Sequence, residues 1–197
     1  MKEKLKQEHL NWWRQNGDNE RFIADWYSFL DRHQVGLCDG KTVAEVAVGA
    51  VGGILNNCAI RPAKRIYIDV IMSDLKALNL VKWKVGEYVD APFEKLPFDD
   101  QSIDILLGYN SLDHGTNWKK GLKECLRVAK IVYLNFDVRA DTPHIKEVKD
   151  RFHPQIISFK QVKAFAEKRG CIVTAIMGRK GRICVEIHRE RRDAFIV

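Results

Sequence analysis

The sequence of 197 residues has no long apolar run. Its longest apolar stretches, such as residues 103–109 with Asp104 among them, are far shorter than the roughly 20 residues that cross a bilayer. The first residues, MKEKLKQEHLNWW, are charged throughout and lack the apolar centre of a signal peptide. We therefore expect a cytoplasmic protein that does not bind membranes.

The spacing of the cysteines indicates no structural or metal-binding role for them. The five cysteines are an odd number, lie far apart and form no C-x-x-C pair, so neither a disulfide framework nor a zinc site is indicated. No other tight spacing of metal ligands is present, and we expect no bound metal.

No linker or internal repeat interrupts the chain. A single domain is predicted, with a helical cap over residues 1–40 and a core over residues 41–197.

The charge balance says little about partners. Lys and Arg number 33 and Asp and Glu number 26, which gives a formal net charge of +7. This excess permits nucleic acid, nucleotide-sugars or other anions and proves none of them. A chain of this length leaves no room for a separate RNA-recognition module, so a small-molecule substrate is favoured over nucleic acid. The expected assembly is a monomer or a homodimer.

Short β-rich runs alternate with helical runs along the chain. The alternation predicts an α/β domain with a Rossmann-like, seven-stranded, mostly parallel sheet and helices on both faces. Only four residues, 178–181, separate the last two strands, so the last strand must be antiparallel. The predicted strands cover residues 42–48, 65–70, 84–89, 103–109, 130–137, 171–177 and 182–188.

Three apolar stripes at helical spacing predict helices near residues 22–30, 118–129 and 159–166. The last helix is the best marked. Ser158 and Gln161 form a capping-box pattern at its start, and Gly170 is placed to end it.

The segment TVAEVAVGAVGGI at residues 42–54 begins with the first strand and ends in a glycine-rich turn. Glycines at such a turn let the chain bend tightly and let a ligand approach the backbone. Asp69 lies at the end of the next strand, where an acid can accept hydrogen bonds from ribose hydroxyls. The pattern favours a nucleotide-like ligand and a helix after the turn. A plain strand–helix turn is the alternative.

Two further segments extend this pattern. Asp90 and Ala91 follow the third strand, and LPFDDQSID at residues 96–104 leads into the fourth. YNSLDH at residues 109–114 comes next, followed by a helix that ends in LRV. Together these segments resemble class I S-adenosylmethionine-dependent methyltransferases of the small-molecule type, over roughly residues 41–185. A dinucleotide oxidoreductase fits less well, because the glycine spacing is G-x-x-G-G and that class does not explain LPFDDQSID.

The resemblance implies S-adenosylmethionine as the cofactor and a role for individual residues. The family pattern E/D-x-G-x-G-x-G has Ala47 at its first glycine here, and its last glycine is replaced by Val51 or displaced to Gly52. Glu45 would shape the methionine end of the pocket, and the backbone at Ala47, Gly49 and Gly52 would give access to the cofactor. Asp69 would bind the ribose, and Asp90 and the Ala91 amide would bind the adenine. Tyr109 and Asn110 would line the methyl-donor side.

Methyl transfer to a hydroxyl requires alignment of the two reactants and removal of a proton. His114 is the candidate base because imidazole titrates near neutrality, and the adjacent Asp113 can orient a ring or a substrate. The alternative is that His114 only caps the helix beginning near Asn117 or packs under the cofactor.

Three residues are candidates for binding the acceptor. Arg139 and Arg179 lie on neighbouring loops at the expected ligand edge, where they can bind a phosphate or carboxylate. Their alternative is an ordinary solvated loop. Trp13 belongs to a group of N-terminal aromatics that can close over the acceptor pocket or simply pack as a helical core.

The sequence therefore predicts a methyltransferase that modifies a hydroxyl of a small metabolite, such as an anionic sugar or a nucleotide-sugar. An RNA or protein methyltransferase is one alternative, motivated by the charge of +7. A catalytically inactive protein that binds the cofactor or activates a partner is the other, motivated by Ala47 and Val51.

Overall fold

The computed structural model describes residues 3–16, 36–56, 60–82, 85–137, 155–176 and 182–189. Seven strands form one sheet in the order β3-β2-β1-β4-β5-β7-β6. The strands are β1 Thr42–Val46, β2 Lys64–Asp69, β3 Glu87–Asp90, β4 Ile103–Tyr109, β5 Ala129–Asp137, β6 Cys171–Ile176 and β7 Arg182–Arg189. The helices are α1 Glu3–Asn16, α2 Met72–Ala77, α3 Trp118–Val128 and α4 Phe159–Glu167, with a short 3-10 helix at Ile54–Asn56.

The predicted sheet is confirmed in strand number and direction. Strands β1 to β5 pair in parallel, and β7 pairs antiparallel with both β5 and β6. In β4 the buried residues are almost continuous, as expected for a strand that is covered on both faces. The register aligns Asp69 with Asp90 and Tyr109 with Asn135, so the carboxyl ends of β2, β3, β4 and β5 share one edge.

Helices cover both faces of the sheet. On one face, α3 and α4 contribute Trp118, Leu122 and Val162 to the larger apolar core. On the other face, the 3-10 helix contributes Ile54 and Leu55 to a second core. The helix predicted at residues 22–30 lies outside the described residues.

The ends of the described helices follow from local side-chain chemistry. Ser158 and Gln161 form the predicted capping box of α4, and Gly170 adopts a φ of +71° after its end. The side chain of Asn117 caps α3 by accepting the Lys120 N–H at 3.1 Å. The N-cap of α3 is therefore Asn117 and not His114.

One expected element differs. The helix predicted after the glycine turn is a 3-10 helix of only three residues, Ile54–Asn56, in the described part of this segment. Gly52 and Gly53 both have positive φ, which is incompatible with a right-handed helix at these positions. The turn therefore does not lead directly into a regular α-helix.

Arg127 holds the LPFDD segment against α3. Its guanidinium donates to the carbonyl oxygens of Leu96 and Phe98 at 2.9 and 2.8 Å. It also pairs with the carboxylates of Glu124 and Asp100, each at 2.8 Å. Multiple bonds from one planar guanidinium fix the segment before β4 in one geometry.

Gln101, in the same segment, serves the end of α3. Its side-chain amide lies within 2.9–3.1 Å of the carbonyl oxygens of Leu126, Arg127 and Ala129. Helix ends leave carbonyl groups without partners inside the helix, and this side chain supplies a donor to them. The residue adopts a φ of +55° to do so.

The described cysteines are buried within the cores. Burial raises the pKa of Cys38 to about 11 and that of Cys125 to about 12. Their thiols stay protonated at neutral pH and pack as small apolar groups. Among the described helices, none is long and apolar enough to cross a membrane.

Candidate active site

The turn after β1 is built from residues in the left-handed region. Gly49, Gly52 and Gly53 have φ values of +58°, +79° and +57°. Ala47 has a φ of +56° although it carries a Cβ. A left-handed conformation costs an L-residue about 1–2 kcal/mol, so the alanine at this position is strained. The family pattern has glycine at the corresponding place, where this strain would not arise.

Glu45 lies beneath the turn and is only 1 % exposed. Its two carboxylate oxygens accept the backbone N–H groups of Ile54 at 3.0 Å and Leu55 at 2.7 Å. Burial raises the pKa of Glu45 to about 7, and the two backbone bonds oppose that rise. A Cβ on Gly53 would lie 2.2 Å from Glu45 Oε1, so only glycine fits above the carboxylate.

Asp69 connects the end of β2 to this turn. Its Oδ2 accepts the Gly49 N–H at 2.9 Å, and its Oδ1 accepts the Ile71 N–H at 3.1 Å. Burial raises the pKa of Asp69, while the two backbone bonds and the charge of His9 oppose the rise. The structure thus places the predicted ribose-binding acid directly beside the predicted glycine turn.

Asp90 and Ala91 follow β3 at the same edge. Asp90 is exposed and aligned with Asp69 in the sheet, so its carboxylate is accessible. The Ala91 N–H donates to the Asp69 carbonyl oxygen at 3.3 Å. This amide, for which the resemblance implies a bond to the adenine ring, is therefore engaged in the ladder between β2 and β3.

The end of β4 brings two of the predicted residues together. The side-chain nitrogen of Asn110 lies 3.0 Å from His114 Nε2. Asn110 has a φ of +49°, and its backbone N–H donates to the Asn135 carbonyl oxygen at 2.8 Å. This contact joins the side chain of Asn110 to the imidazole ring of His114.

Two polar side chains near Asn110 and His114 are buried. Asp113 precedes His114 in the sequence, and Asn135 is aligned with Tyr109 in the sheet. Asp113 is 4 % exposed and Asn135 is 5 % exposed. The Asn135 amide nitrogen donates to Cys184 Sγ at 3.2 Å, and its Oδ1 has no hydrogen-bond partner within the described structure. Sequence analysis did not single out Asn135. Its signal was a lone amide near the end of an otherwise apolar strand.

Helix α1 lies over the glycine turn and α2. The indole of Trp13 is so close to Gly49 that a Cβ there would lie 1.8 Å from Cζ2 of the ring. Leu10 packs in a small apolar cluster with Ala50 and Ile71. The structure therefore places Trp13, predicted to bind the acceptor, against the turn predicted to bind the cofactor.

The remaining predicted acceptor residues are Arg139 and Arg179, which lie outside the described residues. Within the described ranges, no group of three or more His, Cys, Asp or Glu side chains is arranged to hold a metal ion.

Residues 44–131 match the methyltransferase domain family. The matched segment runs from β1 into β5 and so includes the glycine turn, Asp69, Asp90 and the end of β4. Over these residues the chain is similar to the methyltransferase domain family. No curated protein matches it significantly in sequence.

Solved structures share the fold of this chain at low sequence identity. A SAM-dependent methyltransferase from Aquifex aeolicus is 21 % identical with a TM-score of 0.55, and the match covers 86 % of this chain and 88 % of that one. The YcgJ protein from Bacillus subtilis is 16 % identical with a TM-score of 0.60, with 82 % and 100 % covered. A chain from the complex between the Haloferax volcanii Trm112 methyltransferase activator and a methyltransferase is 14 % identical with a TM-score of 0.68, with 93 % and 98 % covered.

The carboxylates described at this edge fit the adenosine half of S-adenosylmethionine. Asp69 and Asp90 offer carboxylates at adjacent strand ends, suited to ribose hydroxyls and an adenine amino group. Each oxygen of Asp69 accepts one backbone N–H, and a carboxylate oxygen has lone pairs for a further bond.

Proposed function

We propose that this protein is an S-adenosylmethionine-dependent methyltransferase that acts on a hydroxyl group of a small anionic metabolite, such as a sugar or a nucleotide-sugar. The observation that carries the proposal is the contact between Asn110 and His114 at the end of β4. It places an imidazole nitrogen in contact with a side-chain amide at the strand end that the family pattern assigns to the methyl-donor side. A hydroxyl acceptor needs such a group to take its proton.

The residues around the turn are proposed to bind the cofactor. Asp69 accepts from the ribose hydroxyls and Asp90 from the adenine amino group. The backbone at Ala47, Gly49 and Gly52 allows close approach, and Glu45 maintains the turn from below through its two backbone bonds. When bound, S-adenosylmethionine supplies the electrophilic methyl group.

His114 is proposed as the base, with Asn110 as its positioning residue. In this proposal the Asn110 amide, which lies 3.0 Å from Nε2, donates to that nitrogen and so holds the neutral ring with its lone pair there. To accept a proton there, the ring exchanges its bond with Asn110 for a bond to the acceptor hydroxyl. Asp113, adjacent in sequence and buried, is proposed to stabilise the imidazolium that results.

The test is an acceptor screen with labelled S-adenosylmethionine, starting from anionic sugars and nucleotide-sugars. With the acceptor found, His114→Gln is expected to lower kcat by about 100-fold or more, the usual contribution of a general base. Its affinity for S-adenosylhomocysteine should be unchanged, because the cofactor residues are intact. His188→Gln, on β7 beside Glu186, is the control and should keep its activity.

Three results would contradict this proposal. Full activity in His114→Gln would exclude the base role. Methylation of RNA but of no metabolite, with RNA affinity that falls steeply with salt, would replace the substrate class. Cofactor binding without turnover on any acceptor would favour the partner-activating alternative.

Arg139 and Arg179 are proposed to bind the anionic group of the acceptor. Replacing both with Gln is expected to raise KM for the anionic acceptor with little change in kcat, because only binding common to ground state and transition state is lost. The double variant Lys119→Gln/Lys120→Gln, with both residues exposed on α3, is the matched loss of two positive charges and should leave KM unaltered. Equal KM values in all three proteins would exclude this binding role.

A further inference from the structure

One face of α1 lies against the edge of the sheet that holds the proposed cofactor residues. Lys6, His9, Leu10 and Trp13 recur at helical spacing of three and four residues, which places them on one face. Each has a counterpart on the core. The inference drawn from this arrangement rests on the cofactor site proposed above.

Trp13 makes the closest approach. Three ring atoms, Cζ2, Cε2 and Cη2, would lie within 2.5 Å of a Cβ on Gly49. The indole therefore occupies the space immediately above Gly49, where a bound ligand would contact the backbone. A ligand atom and the indole cannot both fill that space, since protein atoms and ligand atoms pack at about 3.5–4.0 Å.

Asp69 is also engaged in this arrangement. The Gly49 N–H is directed at its Oδ2, and the charge of His9 on α1 acts on the same carboxylate. Burial, which raises the pKa of Asp69, is the larger influence. The acid proposed to bind ribose is thus turned toward the glycine turn and lies within reach of the charge on α1.

The other contacts hold α1 at this edge. Lys6 Nζ lies 2.7 Å from Asp74 Oδ2 on α2, with each side chain about a third exposed. The hydrogen bond that Lys6 donates to Asp74 raises the pKa of Lys6, and the charge of Asp90 adds to the rise. Leu10 is buried against Ala50 and Leu75. A partly exposed ion pair contributes little stability, so this contact is one that can open.

We propose that α1 occludes the adenosine half of the cofactor site in the free enzyme. Trp13 takes the place of the ligand above Gly49, and the Lys6–Asp74 ion pair holds the helix there. Cofactor binding then requires α1 to move, and the measured affinity is lowered by the fraction of molecules in which α1 is displaced.

The first test is calorimetric titration of the full-length protein with S-adenosylhomocysteine. Trp13→Ala is expected to bind about tenfold more tightly than the parent, as follows if α1 is displaced in about a tenth of parent molecules. Gln15→Ala, exposed on the same helix, is the control and should bind like the parent. A circular dichroism spectrum of each variant establishes that it is folded.

The second test removes the ion pair without touching Trp13 or the turn. Lys6→Glu and Asp74→Lys each place like charges together and should each tighten S-adenosylhomocysteine binding severalfold. The double variant restores opposite charges and should return to the affinity of the parent. Such rescue is not expected from damage to the pocket, so it identifies the contact itself.

The outcomes separate this inference from the proposed cofactor site. Weaker binding by Trp13→Ala would mean that the indole forms a wall of the bound site, and it would overturn the inference. Unchanged binding by all three α1 and α2 variants would also overturn it. Absence of binding by the parent and every variant would refute the cofactor site itself, and the inference with it. Binding by Trp13→Ala but not by the parent would support it most strongly.

Discussion

The carboxylate of Asp69 accepts the backbone N–H of Gly49 at 2.9 Å, although the two residues lie 20 positions apart. This bond ties the end of β2 to the turn after β1, the two places from which the adenosine half of the cofactor is expected to be held. A change at Asp69 should therefore affect both the shape of the turn and the binding of ligand.

Asp69→Asn is expected to weaken S-adenosylhomocysteine binding by about 10- to 100-fold. The amide retains one acceptor oxygen and places an NH2 group against the Gly49 or Ile71 N–H, and bonds to charged groups are worth about 1.5–3 kcal/mol. Titration calorimetry measures the change. Asp99→Asn, exposed before β4, is the control. Parent-like affinity in Asp69→Asn would refute the ribose assignment.

Ala47→Gly is expected to stabilise the protein by up to about 1 kcal/mol. It removes left-handed strain of about 1–2 kcal/mol, while the greater freedom of glycine in the unfolded chain returns about 0.4–1 kcal/mol. For a chain of this length the gain raises Tm by about 2–4 °C. Ala44→Gly, buried in β1, should instead lower Tm. A lower Tm in Ala47→Gly would show that the alanine is not strained.

Glu45 should make stability depend on pH. Its folded pKa of about 7 lies above the ordinary value of 4.5, so between these values the folded state binds more protons than the unfolded state. The contribution of Glu45 is therefore fully present below pH 4.5 and is lost as pH rises through about 7, with a slope of at most about 1.4 kcal/mol per pH unit.

The measurement is urea unfolding of the parent and of Glu45→Gln from pH 5 to pH 8. The variant lacks the titrating group, so the free energy of unfolding should fall less steeply with pH than in the parent. Glu87→Gln, paired with Lys64 on the sheet edge, should retain the parent slope. Parallel curves for the parent and Glu45→Gln would show that Glu45 does not titrate in this range.

Gln101→Ala is expected to destabilise the fold without affecting the ligand site. It removes a donor shared by three carbonyl oxygens at the end of α3, and loss of a partly buried partner costs about 1–3 kcal/mol. Chemical denaturation measures the loss, and titration with S-adenosylhomocysteine should show unchanged affinity. Gln7→Ala, exposed on α1, is the control. A stability equal to the parent's would mean that water replaces the amide at no cost.

The sheet could be predicted because its strands are marked locally. Runs such as residues 103–109 are nearly continuously apolar, and the short connection before β7 fixes its direction. The start of α4 could also be predicted from the sequence, since Ser158 and Gln161 lie three residues apart. The side chain of each accepts the backbone N–H of the other. Elements of this kind depend on neighbours in sequence.

The candidate site was less accessible to sequence reasoning. The hydrogen bond from the Ala91 N–H to the Asp69 carbonyl oxygen depends on the register between β2 and β3, and no local sequence pattern specifies that register. The position of Trp13 depends on docking between α1 and a turn more than 30 residues away. Likewise, the short 3-10 helix follows from positive φ at Gly52 and Gly53, whereas the glycine pattern alone suggested a longer helix.

The hydrogen bonds of Arg127 to the LPFDD segment affect how a sequence of this kind is assigned to a family. The segment LPFDDQSID carries the strongest likeness to the family, yet Leu96, Phe98, Asp100 and Gln101 are occupied in joining β4 to α3. A sequence can keep this signature for as long as it keeps its architecture, whether or not a ligand still enters the neighbouring turn. In distant relatives the motif therefore indicates common ancestry. Whether a ligand binds at the glycine turn has to be measured directly.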